Sequence, residues 1–283
     1  MTKLPFAFGI SEFTTQPWSF DEDIVRYARL GVDTIEVVEA KLDDARFAEQ
    51  MQAIAAEGLA ISGVQPAVRT FFGSRMMPQP TDLKARIAAL RGSIERLARF
   101  APGVPFITNT GAHPKGDTDE AMRVVGDALG ELARVAADHG VTLALEPLNP
   151  TSVNVESAIW TIDQALEVIN RADSAQVGLC LDYWNIWQNA DVEAQIARAA
   201  GRIFTVQASD WRTPRSFADR IVPGDGIIPL PRLIAATRAA GFEGPYVVEI
   251  FSQDVADSLY DEDLEAVIGR CRGGMAAAWD KQT

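Results

Sequence analysis

The feature that most restricts the fold of this chain is a unit of amphipathic helix, glycine and apolar run that returns along its whole length. Ser19, with Asp21, Glu22 and Asp23 behind it, suits a helix start: the hydroxyl caps, and the acids meet the positive end of the helix dipole. Ile24, Tyr27, Ala28 and Leu30 give that helix an apolar stripe, and Gly31 stops it before a strand at 33–39 (DTIEVVE). The same succession runs through 47–57, Gly58 and 60–64, through 192–200, Gly201 and 203–206, and through 230–240, Gly241 and 246–251. Ile87, Leu90, Ile94 and Leu97 mark the helix before a strand at 104–108. Met122, Val125, Leu129, Leu132 and Ala136 mark the one that ends at Gly140 before 141–146. A first strand at 6–13, a helix at 159–169 leading to a strand at 177–181, and a closing helical region at 259–279 complete the set.

Eight strands alternating with helices require a parallel sheet covered by helices. Eight such units in 283 residues fit a closed barrel, typically about 250 residues long. The rival, a doubly wound open sheet, lacks its glycine-rich phosphate loop after the first strand. No linker or compositional break divides the chain. The expectation is one domain over 1–283, a single (β/α)8 TIM barrel with parallel strands. Two connections are too long for simple turns: 68–81, with Arg69, two Phe and two Met, and 209–229. Both follow strands on the face where barrels keep their sites, and their apolar content suits lids over a ligand.

Strand ends carry the chemistry. The buried run Val141, Thr142, Leu143, Ala144, Leu145 is interrupted by Glu146, and Pro147 then ends the strand. The next three strands end near Asp182, Gln207 and Glu249. Three carboxylates brought to one rim repel and are costly to bury. A divalent cation resolves that conflict, and a Gln carbonyl is a legitimate further ligand for a hard ion. Only two histidines are present, His113 and His139, which favours ions such as Mn²⁺ or Mg²⁺ over a histidine-rich zinc cluster. The net charge of −13 argues against nucleic-acid binding and leaves no polybasic patch for a membrane surface. No apolar run approaches the roughly 20 residues that span a bilayer. Cys180 and Cys271 form no disulfide framework, and residues 1–10 show no secretory signal, so the expected compartment is the cytoplasm.

The motifs LALEPLNP (143–150), GLCLDYWNIW (178–187), VQASDW (206–211), DRIVPGDGIIPLP (219–231) and GPYVVEIFS (244–252) are similar to those of the xylose isomerase-like sugar phosphate isomerase/epimerase superfamily. The resemblance covers essentially the whole chain. It implies one catalytic divalent ion held by Glu146, Asp182, Gln207 and Glu249, with Mn²⁺ expected first and Co²⁺ or Mg²⁺ as alternatives. Glu146 and Glu249 would double as the bases and acids of the reaction. The third ligand is commonly His in that family. Asn185 stands where members often carry His, and Asn cannot exchange protons near neutral pH.

The reaction expected is isomerisation or epimerisation of a small keto-sugar or hydroxy-keto acid. An ion chelated by a ketone oxygen and the neighbouring hydroxyl acidifies the adjacent C–H and stabilises the enediolate. With a hydroxyl β to the carbonyl, the same carbanion expels water. The alternative is therefore a lyase, a dehydratase or eliminase on a cyclic keto-polyol, a dehydroshikimate-like ring or a 3-keto-glycoside. Arg220 could hold an oxyanion or pair with loop acids, as Arg212 and Arg215 could. His113 could replace the missing histidine or stand by. Trp184, Trp187 and Trp211 could stack on a sugar face or pack in the core, and Glu36 or Glu39 could reach the pocket. A small molecule is the expected partner, and the resemblance is compatible with a homodimer or homotetramer.

Overall fold

The computed structural model describes residues 3–282. Its eight strands close into a barrel in sequence order, every pair parallel. They are β1 (Phe8–Ser11), β2 (Thr34–Val38), β3 (Ala60–Gln65), β4 (Pro105–Thr108), β5 (Thr142–Leu145), β6 (Val177–Asp182), β7 (Ile203–Ala208) and β8 (Tyr246–Val248). The helices are α1 (Phe20–Arg29), α2 (Phe47–Ala56), α3 (Leu83–Leu97), α4 (Thr118–Asp138), α5 (Ile162–Ala172), α6 (Tyr183–Ile186), α7 (Val192–Arg198), α8 (Leu230–Ala239) and α9 (Leu264–Asp280). No described helix is long and apolar enough to cross a membrane.

Local sequence accounts for most of these boundaries. Ser19 and Glu22 form a reciprocal capping box at α1, and Thr161 with Gln164 does the same at α5. The α5 cap starts that helix three residues later than the apolar pattern alone suggests. Gly31, Gly58, Gly140, Gly201 and Gly241 follow helices with positive φ, the conformation that glycine adopts without a Cβ clash. Near the end of α9, Gly274 does not stop the helix. It admits the Pro223 carbonyl, which an added Cβ would meet at 1.7 Å. The one-turn α6 was not apparent from periodicity, because its four residues are too few to show one.

The main apolar core lies between the barrel wall and the helices, and a smaller one of Ile107, Ala144 and Cys180, with Phe204 against it, fills the barrel interior. Because side chains alternate along a strand, Cys180 and Asp182 share the inner face of β6. The register pairs Asp182 with Gln207 on β7.

Candidate active site

Four of the expected side chains converge where the strands end. Glu146 follows β5, Asp182 ends β6, Gln207 lies on β7 and Glu249 follows β8. All four are buried. Glu146, Asp182 and Glu249 each offer an oxygen within 4.8 Å of the others, close enough to share one cation.

Polar neighbours currently separate these acids. Asn185 Nδ2 donates to Glu146 Oε1 and to Asp182 Oδ2, each at 2.7 Å, and Asn109 Nδ2 donates to Glu146 Oε2 at 2.8 Å. Arg220 Nη1 lies 2.9 Å from both Asp182 Oδ2 and Glu249 Oε2. Asp182 Oδ1 accepts from the Trp184 backbone at 3.0 Å, so one carboxylate caps α6 and serves the site together. Burial raises Glu146 to about 7, with the charge of Asp182 adding to it. Burial also raises Glu249 and Asp182, against the pull of Arg220.

Gln207 is turned by its neighbours. Its amide donates to both Glu36 oxygens at 3.0 Å and to Glu249 Oε1 at 3.1 Å, while its carbonyl faces the Cys180 thiol at 3.1 Å. Gln65 Nε2 makes a parallel bridge, 3.1 Å from Glu36 Oε1 and from Glu249 Oε1. Strand alternation left Glu36 and Glu39 equivalent, and the structure separates them. Glu36 points inward to the Gln65 and Gln207 amides, where Gly63, with no Cβ, leaves it room. Glu39 faces outward to Ser93 of α3 and the Ala67 backbone.

Above the acids a narrow cleft, with a cavity of about 70 Å³, opens to solvent. Met76 and Met77 from the long loop after β3, and Phe217 from the one after β7, line it. Arg75 stacks on Phe217 at 4.6 Å and ties the two loops together. Arg220 leaves its loop neighbours and enters the site, whereas Arg212 and Arg215 pair with Asp219 and Asp257. Trp184 lines the cleft beneath Arg220, its ring 4.8 Å from the guanidinium.

Two expected residues lie elsewhere. His113 is outside the cleft lining: its Nδ1 accepts from the Asp117 backbone at the start of α4, and its ring meets Phe72 edge-on at 5.0 Å. Trp211 packs on Trp187 at 5.3 Å, also outside that lining. Conversely, Gln65 at the end of β3 and Asn109 just beyond β4 belong to the site and were not singled out from sequence. The strand-end rule applied to Glu146 finds both.

These features define a parallel barrel with a cluster of buried acids beneath a cleft at its C-terminal rim. The chain belongs to the xylose isomerase-like TIM barrel family, which matches residues 24–269. Inosose isomerase of Bacillus subtilis (strain 168) is 27% identical over 172 residues, 59% of this chain and 59% of that protein. 3-Dehydroshikimate dehydratase of Pseudomonas aeruginosa is 31% identical over 145 residues, 46% of this chain and 22% of that protein. The matches thus span less than two thirds of either relative's length. The IOLI protein, whose crystal structure has a bound zinc atom, superposes with a TM-score of 0.80 at 21% identity. That match covers 98% of this chain and 99% of the other, and shows a common fold.

Proposed function

We propose that this protein is a divalent-metal-dependent isomerase or epimerase of a small keto-sugar or hydroxy-keto acid. The observation that carries the reading is the convergence of Glu146, Asp182 and Glu249 beneath a cleft. The donor set fits an ion: three buried carboxylates lie within sharing distance, and Gln207 would add its carbonyl oxygen on turning over its carboxamide, whose amide now faces Glu249. Mn²⁺ suits such oxygen-rich ligands, with Co²⁺ or Mg²⁺ as alternatives. The similarly folded IOLI protein was crystallised with a bound zinc atom, which supports a divalent ion in a barrel of this kind. When bound, the ion would supply positive charge to a substrate's carbonyl and hydroxyl oxygens.

The side chains of the site supply the rest. Glu146 and Glu249 come from strands on different sides of the site, which suits removal of a proton beside a carbonyl by one and its return by the other. The C–H electron pair passes into the new C=C bond while the carbonyl π pair moves onto oxygen, and Arg220 offsets the charge of Asp182 and Glu249 beside it. Asn109 and Asn185 hold the Glu146 carboxylate in place. Asn185 has no group that titrates near neutral pH, so proton transfer falls to the carboxylates. The dehydratase relative favours a second reading, a lyase that expels water from a β-hydroxy ketone. A panel of keto-sugars, hydroxy-keto acids and cyclic ketones incubated with Mn²⁺-loaded protein in D₂O decides between them. Deuterium uptake without water loss supports an isomerase or epimerase, an unsaturated product supports the lyase, and neither result from any compound rejects both.

A further inference from the structure

Two arginines line the cleft, and they are used differently. Arg220 is committed to Asp182 and Glu249. Among the described residues, Arg69 donates no side-chain hydrogen bond and has no carboxylate within ion-pair distance. Its guanidinium is held by stacking, 5.2 Å over the Phe13 ring, and Phe13 in turn packs on Phe251 at 4.7 Å. Glu249, Glu146, Glu36 and Glu156 are the charges that act on it from a distance. An arginine fixed on an aromatic shelf, with its donor fork unspent and facing a substrate cleft, is a prepared anion site.

We propose that Arg69 binds a carboxylate on the substrate, so that this enzyme acts on hydroxy-keto acids rather than neutral sugars. The inference rests on the functional reading above, and narrows its substrate class. Charge balance favours a carboxylate over a phosphate. A divalent ion and Arg220 together cancel Glu146, Asp182 and Glu249. Glu36 accepts from the Gln65 and Gln207 amides and Glu156 from the Met76 backbone, and neither adds positive charge, so at most the single charge of Arg69 is left for a ligand. One positive charge matches a carboxylate and falls short of a phosphate dianion.

The test uses three compounds that share HOCH₂–CO–R: hydroxypyruvate (R is COO⁻), dihydroxyacetone (R is CH₂OH) and dihydroxyacetone phosphate. Binding to the purified protein is followed by intrinsic tryptophan fluorescence, Trp184 being in the cleft, with Mg²⁺ and again with EDTA. The parent should bind hydroxypyruvate at least about tenfold tighter than dihydroxyacetone, and the phosphate no tighter than hydroxypyruvate. Arg69→Gln should bring hydroxypyruvate to within about twofold of dihydroxyacetone while leaving the neutral ligand unchanged. Arg69→Lys, which keeps the charge and loses the fork, should lower the preference by roughly threefold or more and decides alone if Arg69→Gln does not fold. A parent without the preference, a preference untouched in either folded variant, or tightest binding of the phosphate overturns the carboxylate assignment. Dihydroxyacetone binding that is equally strong in Mg²⁺ and EDTA counts against the metal-dependent reading, and leaves the Arg69 comparison to stand or fall separately.

Discussion

Arg220 Nη1 sits 2.9 Å from Asp182 Oδ2, and the same nitrogen is 2.9 Å from Glu249 Oε2. One guanidinium nitrogen thus links the end of β6 to the residue after β8, and places a fixed positive charge where three acids crowd.

Removing that charge exposes the repulsion it offsets. Arg220→Met should destabilise the metal-free protein by about 3–5 kcal/mol, the range for breaking a buried pair from one side. Mn²⁺ should recover a larger part of the loss than it adds to the parent, because an ion supplies the missing charge to the folded state. Thermal melts with Mn²⁺ and with EDTA measure both. Equal metal-induced shifts in parent and variant would show that the ion and Arg220 do not serve the same carboxylates.

Asn185 offers the complementary test. Its Nδ2 is 2.7 Å from both Glu146 and Asp182. Asn185→Asp replaces a shared donor with a further acceptor, and should lower stability without metal by roughly 2 kcal/mol or more, with pH sensitivity increased. Asn185→Ala should cost less, since it removes the donor without adding charge. A melt series from pH 5 to 8 in EDTA compares them, and an aspartate variant as stable as the alanine variant at pH 8 contradicts the argument.

Glu146 sets a pH dependence. Its folded-state value is pushed up to about 7 by burial and by Asp182. The metal-free fold therefore holds a proton that the unfolded chain releases nearer the ordinary carboxylate range. The stability from that proton is complete below the ordinary value and is lost as pH rises through about 7. An ion needs the ionised carboxylate, so metal affinity should rise with pH through about 7, by up to about tenfold per unit for the Glu146 proton. Calorimetric titration in two buffers of different ionisation enthalpy counts the released protons. Affinity that stays flat from pH 5.5 to 8 removes Glu146 from the ligand set.

Gln207 and Glu249 separate holding an ion from moving a proton. Gln207→Leu deletes a carboxamide that touches Glu36, Glu249 and Cys180, and should weaken Mn²⁺ binding by about tenfold or more. Gln207→His should retain the ion while changing rate or substrate preference. Glu249→Gln keeps an oxygen but loses the base, so turnover should fall far more than Mn²⁺ affinity. Metal titration of the three variants beside their turnover reads the difference. A leucine variant with parental metal and substrate affinity would reduce Gln207 to packing.

The sequence by itself determined the eight-unit barrel and the direction of its rim. Helix caps, stop glycines and apolar stripes are local signals, and Pro147 marks the end of β5 without help from any distant residue. Glu146, Asp182 and Glu249 were legible for the same reason, because a strand's C-terminal end is fixed along the chain. Only the tertiary structure decided which side chains face one another. It placed Glu36 inside the barrel and Glu39 against α3, drew Arg220 away from Arg212 and Arg215, and kept His113 at the start of α4. It also set Arg69 on Phe13, a residue from the opposite end of the β1–β3 segment. Periodicity along a chain specifies which face of an element is apolar. Closing the barrel specifies which loops meet over it, and those contacts join residues far apart in sequence.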